Sequence, residues 1–299
     1  MIPVIGIIAA LSLLIGGGIA YSQLRRSAGH YFDSNGVRIF YSERGSGVPV
    51  ILLHGFGAQG DTNFRNPGTV AALAKNYRVI VMDARGHGRS EKPHDLESYG
   101  MEVVDDVKRL MDHLEIDRAH LVGYSMGALI TIKFMTAYPE RLITASPCGN
   151  GWHVPSDRQA EIAERLAADL AAGRGYHALF DLIDPLNGPI PSVVKWVLHI
   201  YFKLANDERA LAQMVEGWRS YDLTEDDIKA VTLPSLCVIG ENDPLRVGAE
   251  RLANTKSNHE LVLLKNRNHY NSFRRGFIEN VQTFLAKHPG SATAEMSAN

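Results

Sequence analysis

The sequence predicts a doubly wound α/β sheet interrupted once by a block of helices. Three observations carry this expectation. Buried strands, such as the continuous apolar run Val48–Leu53 and the stretch Tyr77–Met82, alternate with helical stretches such as Met101–Leu114, a pattern of parallel strands buried on both faces. The stretch Ala119–Leu129, AHLVGYSMGAL, runs from an apolar strand through a sharp glycine-flanked turn straight into a helix. Four helical stretches then follow one another between residues 149 and 222 with no buried strand among them.

Taken in order, Tyr31–Ser34 and Val37–Glu43 are short, β-branched and aromatic, and Asn35-Gly36 between them predicts a hairpin. Val48–Leu53 is the first buried strand, Thr69–Lys75 a helix, Tyr77–Met82 a strand and Met101–Leu114 an amphipathic helix. His120–Val122 leads into the turn at Ser125, and Leu142–Ser146 is the next strand. The helical block comprises Asp157–Ala172, Ala178–Leu186, Ser192–Leu204 and Glu208–Ser220. Strand and helix then resume with Leu236–Ile239, a helix near Gly248–Asn254, Leu261–Leu264 and a last amphipathic helix Phe273–Lys287. The small, polar tail from Pro289 carries no core. The expected organisation is an N-terminal hydrophobic segment (1–28), a core in two pieces (29–148 and 223–288), a helical lid (149–222) and a disordered tail (289–299).

Bulk properties set limits. The chain has 299 residues, 45% of them hydrophobic, which is enough for a large core, and a formal net charge of -2 gives no electrostatic reason to expect nucleic acid. Cys148 and Cys237 sit in apolar strand-like contexts without C-x-x-C spacing, so free buried thiols are expected, with a single disulfide as the alternative. No His or Cys lies at ligand spacing nearby, so no metal is expected. Ile2–Tyr21 carries no charge and precedes Arg25-Arg26. At ~20 residues it has the length of a bilayer span, and an uncleaved anchor with membrane contact is the expectation. A signal peptide cleaved after Gly18-Ile19-Ala20, giving a secreted or periplasmic chain, is the alternative. The absence of an Asn-x-Ser/Thr sequon fits a cytoplasmic or bacterial setting.

The candidate chemistry lies where strands end. Gly123-Tyr124-Ser125-Met126-Gly127 raises a serine on a strained turn where bulk two residues either side would collide with the crossing strand and helix. His54-Gly55-Phe56-Gly57 follows a strand, and the N–H groups of Phe56 and Met126 are the expected donors to a developing oxyanion. Asp243 lies just past Leu236–Ile239 and His269 just past Leu261–Leu264. The order Ser125, Asp243, His269 places a nucleophile, an orienting carboxylate and a base at the carboxyl ends of three strands. Asp184, Asp226 and Asp227, in lid-side helical contexts, are weaker candidates for the acid. Asp83, the Arg85–Ser90 loop and His54 are expected to be structural, the last bracing the oxyanion loop. Tyr124 and Trp196 are candidate pocket residues, although ordinary packing explains Tyr124 equally well. The apolar helix containing Trp196, Val193–Phe202, must be buried or meet something oily: the sheet, an acyl pocket or a membrane.

Gly55-Phe56-Gly57-Ala58-Gln59-Gly60 also fits a dinucleotide-binding G-x-G-x-x-G, with Asp83 ending the next strand. Such a loop should open directly into a helix. Here Asn63–Pro67 delays it, and an oxidoreductase reading leaves the Ser125 turn unexplained.

From about His30 to Lys287 the sequence resembles the α/β-hydrolase superfamily. The resemblance rests on the H-G-F-G loop, the segment Asp83–Ser90, the Ser125 turn and the Asp243 and His269 loops. It implies a mainly parallel eight-stranded sheet with the lid inserted after the sixth strand, and a cofactor-free serine hydrolase acting on carboxylic esters, its substrate a small molecule or a lipid. Other chemistries of the superfamily stay open: lactonase, amidase, carbon–carbon bond hydrolase, acyltransferase, perhydrolase, or a non-catalytic scaffold. Asn268 stands before the histidine where many relatives have glycine, and asparagine tolerates left-handed backbone angles.

Overall fold

The structure, a computed structural model, describes residues 26–290. Eight strands form one sheet: β1 (His30–Ser34), β2 (Val37–Arg44), β3 (Pro49–Leu53), β4 (Arg78–Met82), β5 (Ala119–Tyr124), β6 (Leu142–Cys148), β7 (Ser235–Gly240) and β8 (His259–Leu264). Their spatial order is β1-β2-β4-β3-β5-β6-β7-β8. β2 runs antiparallel to both β1 and β4, and every other neighbouring pair is parallel. The β1–β2 hairpin closes with Asn35 and Gly36 at φ 56 and 83, the two left-handed positions that a twist-matched two-residue turn requires.

Period-2 alternation divides the strand side chains between two cores. Ile51, Leu53, Ile80, Met82, Leu121 and Ile239 enter one cluster, while Val50, Leu52, Val79, Val81, Val122 and Val238 enter another. The first is covered by α2 (Met101–His113) and α3 (Met126–Ala137), the second by α1 (Thr69–Leu73) and α10 (Arg275–Lys287). Both cysteines are buried and unpaired, Cys148 in the second cluster and Cys237 in the first, on opposite faces of the sheet.

Between β6 and β7 lie α4 (Arg158–Ala171), α5 (His177–Leu182), α6 (Ser192–Ala205), α7 (Glu208–Arg219) and α8 (Glu225–Ala230); α9 (Arg246–Thr255) follows β7. The helix expected over Ala178–Leu186 ends at Leu182. Pro185 disfavours helical backbone at the residue before it, and the chain turns away there. The short α8, which holds Asp226 and Asp227, is started by a reciprocal capping box, in which Thr224 Oγ1 accepts from Asp227 N and the Asp227 carboxylate accepts from Thr224 N.

Two expectations about the chain ends are affected. Ile2–Tyr21 and residues 291–299 lie outside the described residues. Among the described residues no helix is long and apolar enough to cross a membrane. The longest have 14 residues, which span about 21 Å at 1.5 Å per residue against ~30 Å of hydrocarbon. The membrane-associated localisation is therefore withdrawn as an expectation, together with membrane contact as a partner.

Buried histidines make the fold acid-sensitive, His120 among them. His120, on β5, is fully buried with Nδ1 2.8 Å from Thr144 Oγ1, and burial pushes its pKa down to about 4. The unfolded chain then binds the proton first as pH falls. The stabilisation is complete above the ordinary value near 6.5 and is lost between there and about 4, by up to roughly 3 kcal/mol for this residue. His120→Leu is expected to flatten the pH dependence of the urea midpoint across that window, and an unchanged slope would refute the assignment.

Candidate active site

The Ser125 turn is built by steric exclusion. A Cβ on Gly123 would lie 2.0 Å from the Gly127 carbonyl oxygen, and one on Gly127 would lie 2.0 Å from that of Leu53. Only glycine lets β5, β3 and α3 approach this closely. Ser125 itself stands at φ 58, ψ -110, a strained conformation for an L-residue, and is held there by Ser125 N donating to Cys148 O at 2.9 Å. Gly127→Ala is expected to cost about 3 kcal/mol, the upper end for overpacking because the atom struck is backbone. Urea unfolding checks this, and a loss under about 1 kcal/mol would show that the turn can relax.

Asp243, His269 and Ser125 come together from three loops. His269 Nδ1 lies 2.8 Å from Asp243 Oδ2, and His269 Nε2 lies 2.9 Å from Ser125 Oγ. An ionised carboxylate only accepts, so Nδ1 carries the proton and Nε2 presents its lone pair to the hydroxyl. Asp243 is fully buried, and its other oxygen accepts from Leu245 N at 3.0 Å. The left-handed position expected at Asn268 belongs instead to Asn266, at φ 56. Asn268 closes the loop by hydrogen bonds: its Oδ1 accepts from Tyr270 N at 3.1 Å and its carbonyl from Ser272 Oγ at 2.7 Å.

The loop after β3 is fixed by its neighbours. His54 Nε2 accepts from Ala84 N at 3.0 Å while Nδ1 donates to Gly55 O at 2.8 Å, a neutral tautomer that burial favours by lowering the pKa. Gly55 N donates to Asn63 Oδ1 at 2.7 Å, and Gly60 N to Asp83 Oδ1 at 2.9 Å. Among the described residues, neither the Phe56 nor the Met126 N–H donates to a protein acceptor. Both residues line a cavity of about 580 Å³ that also contains Ser125.

Two of the expected pocket residues lie elsewhere. Tyr124 is behind the site: its hydroxyl donates to the His269 carbonyl at 2.6 Å, and its ring packs against His269, Phe273 and Phe277. Trp196 is 48% exposed on α6 and does not line the cavity. No residue of α6 is buried, so the expectation of a helix enclosed on most sides is corrected. The helix meets the loop after β3 through Phe202, whose ring would lie 2.4 Å from a Cβ on Gly57, and through Asn206 Nδ2, which donates to Gly57 O at 3.2 Å.

Residues that sequence reasoning did not single out form the cavity wall, among them Asn150, Trp152, His153, Trp218 and Tyr221. Asn150 Oδ1 accepts from Gly151 N and His153 Nε2, both at 2.8 Å, and Asn150 Nδ2 donates to Ser125 O at 3.4 Å. These residues follow β6 directly, and a polar Asn-x-x-His just past a buried strand was the available signal.

Comparison with known proteins agrees with this architecture. Residues 48–171 match a family model described as alpha/beta hydrolase fold. A 2-hydroxy-6-oxo-6-phenylhexa-2,4-dienoate hydrolase of Comamonas testosteroni is 42% identical over 125 residues, covering 40% of this chain and 43% of that protein. The chain thus spans well under half the length of that curated relative and of its Burkholderia cepacia counterpart, 41% of which is covered. Among solved structures, the enol-lactonase from Burkholderia xenovorans LB400 superposes with a TM-score of 0.70 at 25% identity, over 86% of this chain and 100% of that one. A thermophilic esterase from Thermogutta terrifontis, at 21% identity and a TM-score of 0.71 over 88% of this chain and 100% of that one, shares the fold. The chain has the α/β-hydrolase fold.

Proposed function

We propose that this chain is a serine hydrolase that cleaves small-molecule esters or lactones through an acyl-enzyme on Ser125. The hydrogen-bonded chain from Asp243 through His269 to Ser125 Oγ, opening on a largely apolar cavity, carries the reading. His269 Nε2 takes the hydroxyl proton as Oγ attacks the carbonyl carbon, and Asp243 stabilises the resulting imidazolium. The oxyanion is held by the Phe56 and Met126 N–H groups. As the tetrahedral adduct collapses, the bond to the alkoxy oxygen breaks and that oxygen leaves with the proton from His269. Water, deprotonated by the same nitrogen, then attacks the acyl carbon, and Oγ departs with its proton restored. Residues 149–222 serve in this reading as the lid that covers the reacting atoms.

A second reading, hydrolysis of a carbon–carbon bond beside a ketone, is favoured by the 42% identity to dienoate hydrolases. Its substrate there is a carboxylate-bearing dienoate, and the same nucleophile, base and oxyanion donors would act on its ketone.

A fluorophosphonate probe is expected to label the wild-type chain and not Ser125→Ala; equal labelling of both would overturn Ser125 as nucleophile. Rates on p-nitrophenyl esters, lactones and a 2-hydroxy-6-oxodienoate then rank the two readings, and turnover of the dienoate alone would replace the first with the second.

A further inference from the structure

The cavity at Ser125 is unevenly polar. Its wall is largely apolar, with Met126, Leu129, Trp152, Leu182 and Trp218 among the lining residues, whereas Glu161, Glu164 and Asp222 line it with exposed side chains. Arg219 is the one lysine or arginine in that lining among the described residues, and its charge is already used. Nη1 donates to both carboxylate oxygens of Glu216, at 3.0 and 2.7 Å, and Nη2 lies 3.6 Å from Glu164 Oε2. Lys133, outside the lining, reaches only the backbone oxygen of Asp222, at 3.5 Å. His153, the lining histidine, is held neutral by burial, which pushes its pKa down to about 4.

Three carboxylates therefore share the lining with one committed guanidinium, and among the described residues no unpaired lysine or arginine lines the cavity. A carboxylate entering this cavity would give up its hydration without gaining a counter-charge, and would first pass like charges within a Debye length of ~8 Å. A neutral acyl compound meets neither barrier.

We propose that the cavity selects substrates that are uncharged at the end that fills it and discriminates against carboxylate-bearing ones, with Glu161, Glu164 and Asp222 as specificity-determining residues. This rests on the reading that Ser125 attacks a carbonyl held here, and it ranks a neutral ester or lactone above the dienoate.

The test is a binding measurement that needs no turnover. Trp152 and Trp218 line the cavity, so tryptophan fluorescence of the Ser125→Ala protein reports its occupation. It is titrated at neutral pH with 4-phenylbutyramide and with the near-isosteric 4-phenylbutyrate. The carboxylate is expected to bind at least about tenfold more weakly. Raising salt from about 50 mM to about 500 mM should narrow the gap severalfold, as should the triple substitution Glu161→Gln, Glu164→Gln, Asp222→Asn. The salt arm decides on its own if the triple variant does not fold. Equal or tighter binding of the carboxylate would overturn the proposal, and a gap insensitive to both salt and the triple substitution would overturn the role of the three acids. Ser125→Ala forms no acyl-enzyme, so these results stand whatever the labelling experiment shows. Failed labelling would overturn the nucleophile alone.

Discussion

Replacing Ser125 with alanine should lower kcat on any accepted ester by a factor on the order of 10⁴–10⁶, because the nucleophile, base and orienting acid act as one unit. For the same reason a Ser125→Ala, His269→Ala double variant should be no worse than either single one, and a multiplicative loss would show that the two residues do not share a step. The stability effects run the other way. Ser125 sits at φ 58, ψ -110, so the turn stores strain of order 1–3 kcal/mol that alanine retains and glycine releases. Glycine also raises the entropy of the unfolded chain, offsetting about 0.4–1 kcal/mol of that gain. Ser125→Gly should therefore be inactive yet unfold at higher temperature than Ser125→Ala. If calorimetry places it lower, the strain is not in this turn.

The parts of this molecule that were legible in the sequence are those decided by contacts near in space and fixed in pattern. Gly123 and Gly127 are dictated by close backbone approach, and strand ends collect on one edge of any parallel sheet, so the meeting of Ser125, Asp243 and His269 within hydrogen-bond distance could be expected from their positions past three strands. The hairpin at Asn35-Gly36 needed only its two left-handed residues. What failed depended on docking. Trp196 and Phe202 stand on one apolar helix, and nothing in its composition says which turns toward Gly57 and which toward solvent. Tyr124 neighbours the nucleophile in sequence, but strand alternation sends its side chain to the opposite face from the cavity, under His269. At Asn268 a side-chain hydrogen bond replaced the backbone freedom that the residue type suggested. The charge of the cavity was hidden too, since Glu161, Glu164, Arg219 and Asp222 meet only when α4 and α7 pack together.

The largest stability effect is expected at Asp106, outside the lining of the Ser125 cavity. Its carboxylate is fully buried and takes two hydrogen bonds from Arg85, Nε to Oδ2 at 2.7 Å and Nη2 to Oδ1 at 2.6 Å, plus one from Ser34 Oγ. Arg85 is only 1% exposed and spends Nη1 on the Ser98 carbonyl at 2.6 Å. Asp106→Ala leaves the buried guanidinium with only the Ser98 carbonyl and Glu102, whose Oε2 lies 3.6 Å from Nη2, and loss of the fully buried partner typically costs about 3–5 kcal/mol, a large part of a domain's 5–15 kcal/mol. Replacing both partners with apolar residues of similar volume, Arg85→Met with Asp106→Leu, removes the orphaned charge and should recover most of the loss. Thermal unfolding of the single and double variants separates these outcomes; a double variant no better than Asp106→Ala would mean that the hydrogen bonds to Ser98 and Ser34, not the charge, hold the region. The consequence reaches Ser125 through the backbone. Arg85 follows directly on Asp83 and Ala84, whose carboxylate and N–H fix Gly60 and His54 on either side of Phe56. On the proposed mechanism, loosening the pair should therefore lower kcat in the folded fraction while leaving fluorophosphonate labelling of Ser125 possible, because the Phe56 N–H shifts and Ser125 does not. Single-turnover acylation rates measured well below the unfolding temperature check this, and an unchanged rate in folded Asp106→Ala would show that the β3 loop keeps its position without Arg85.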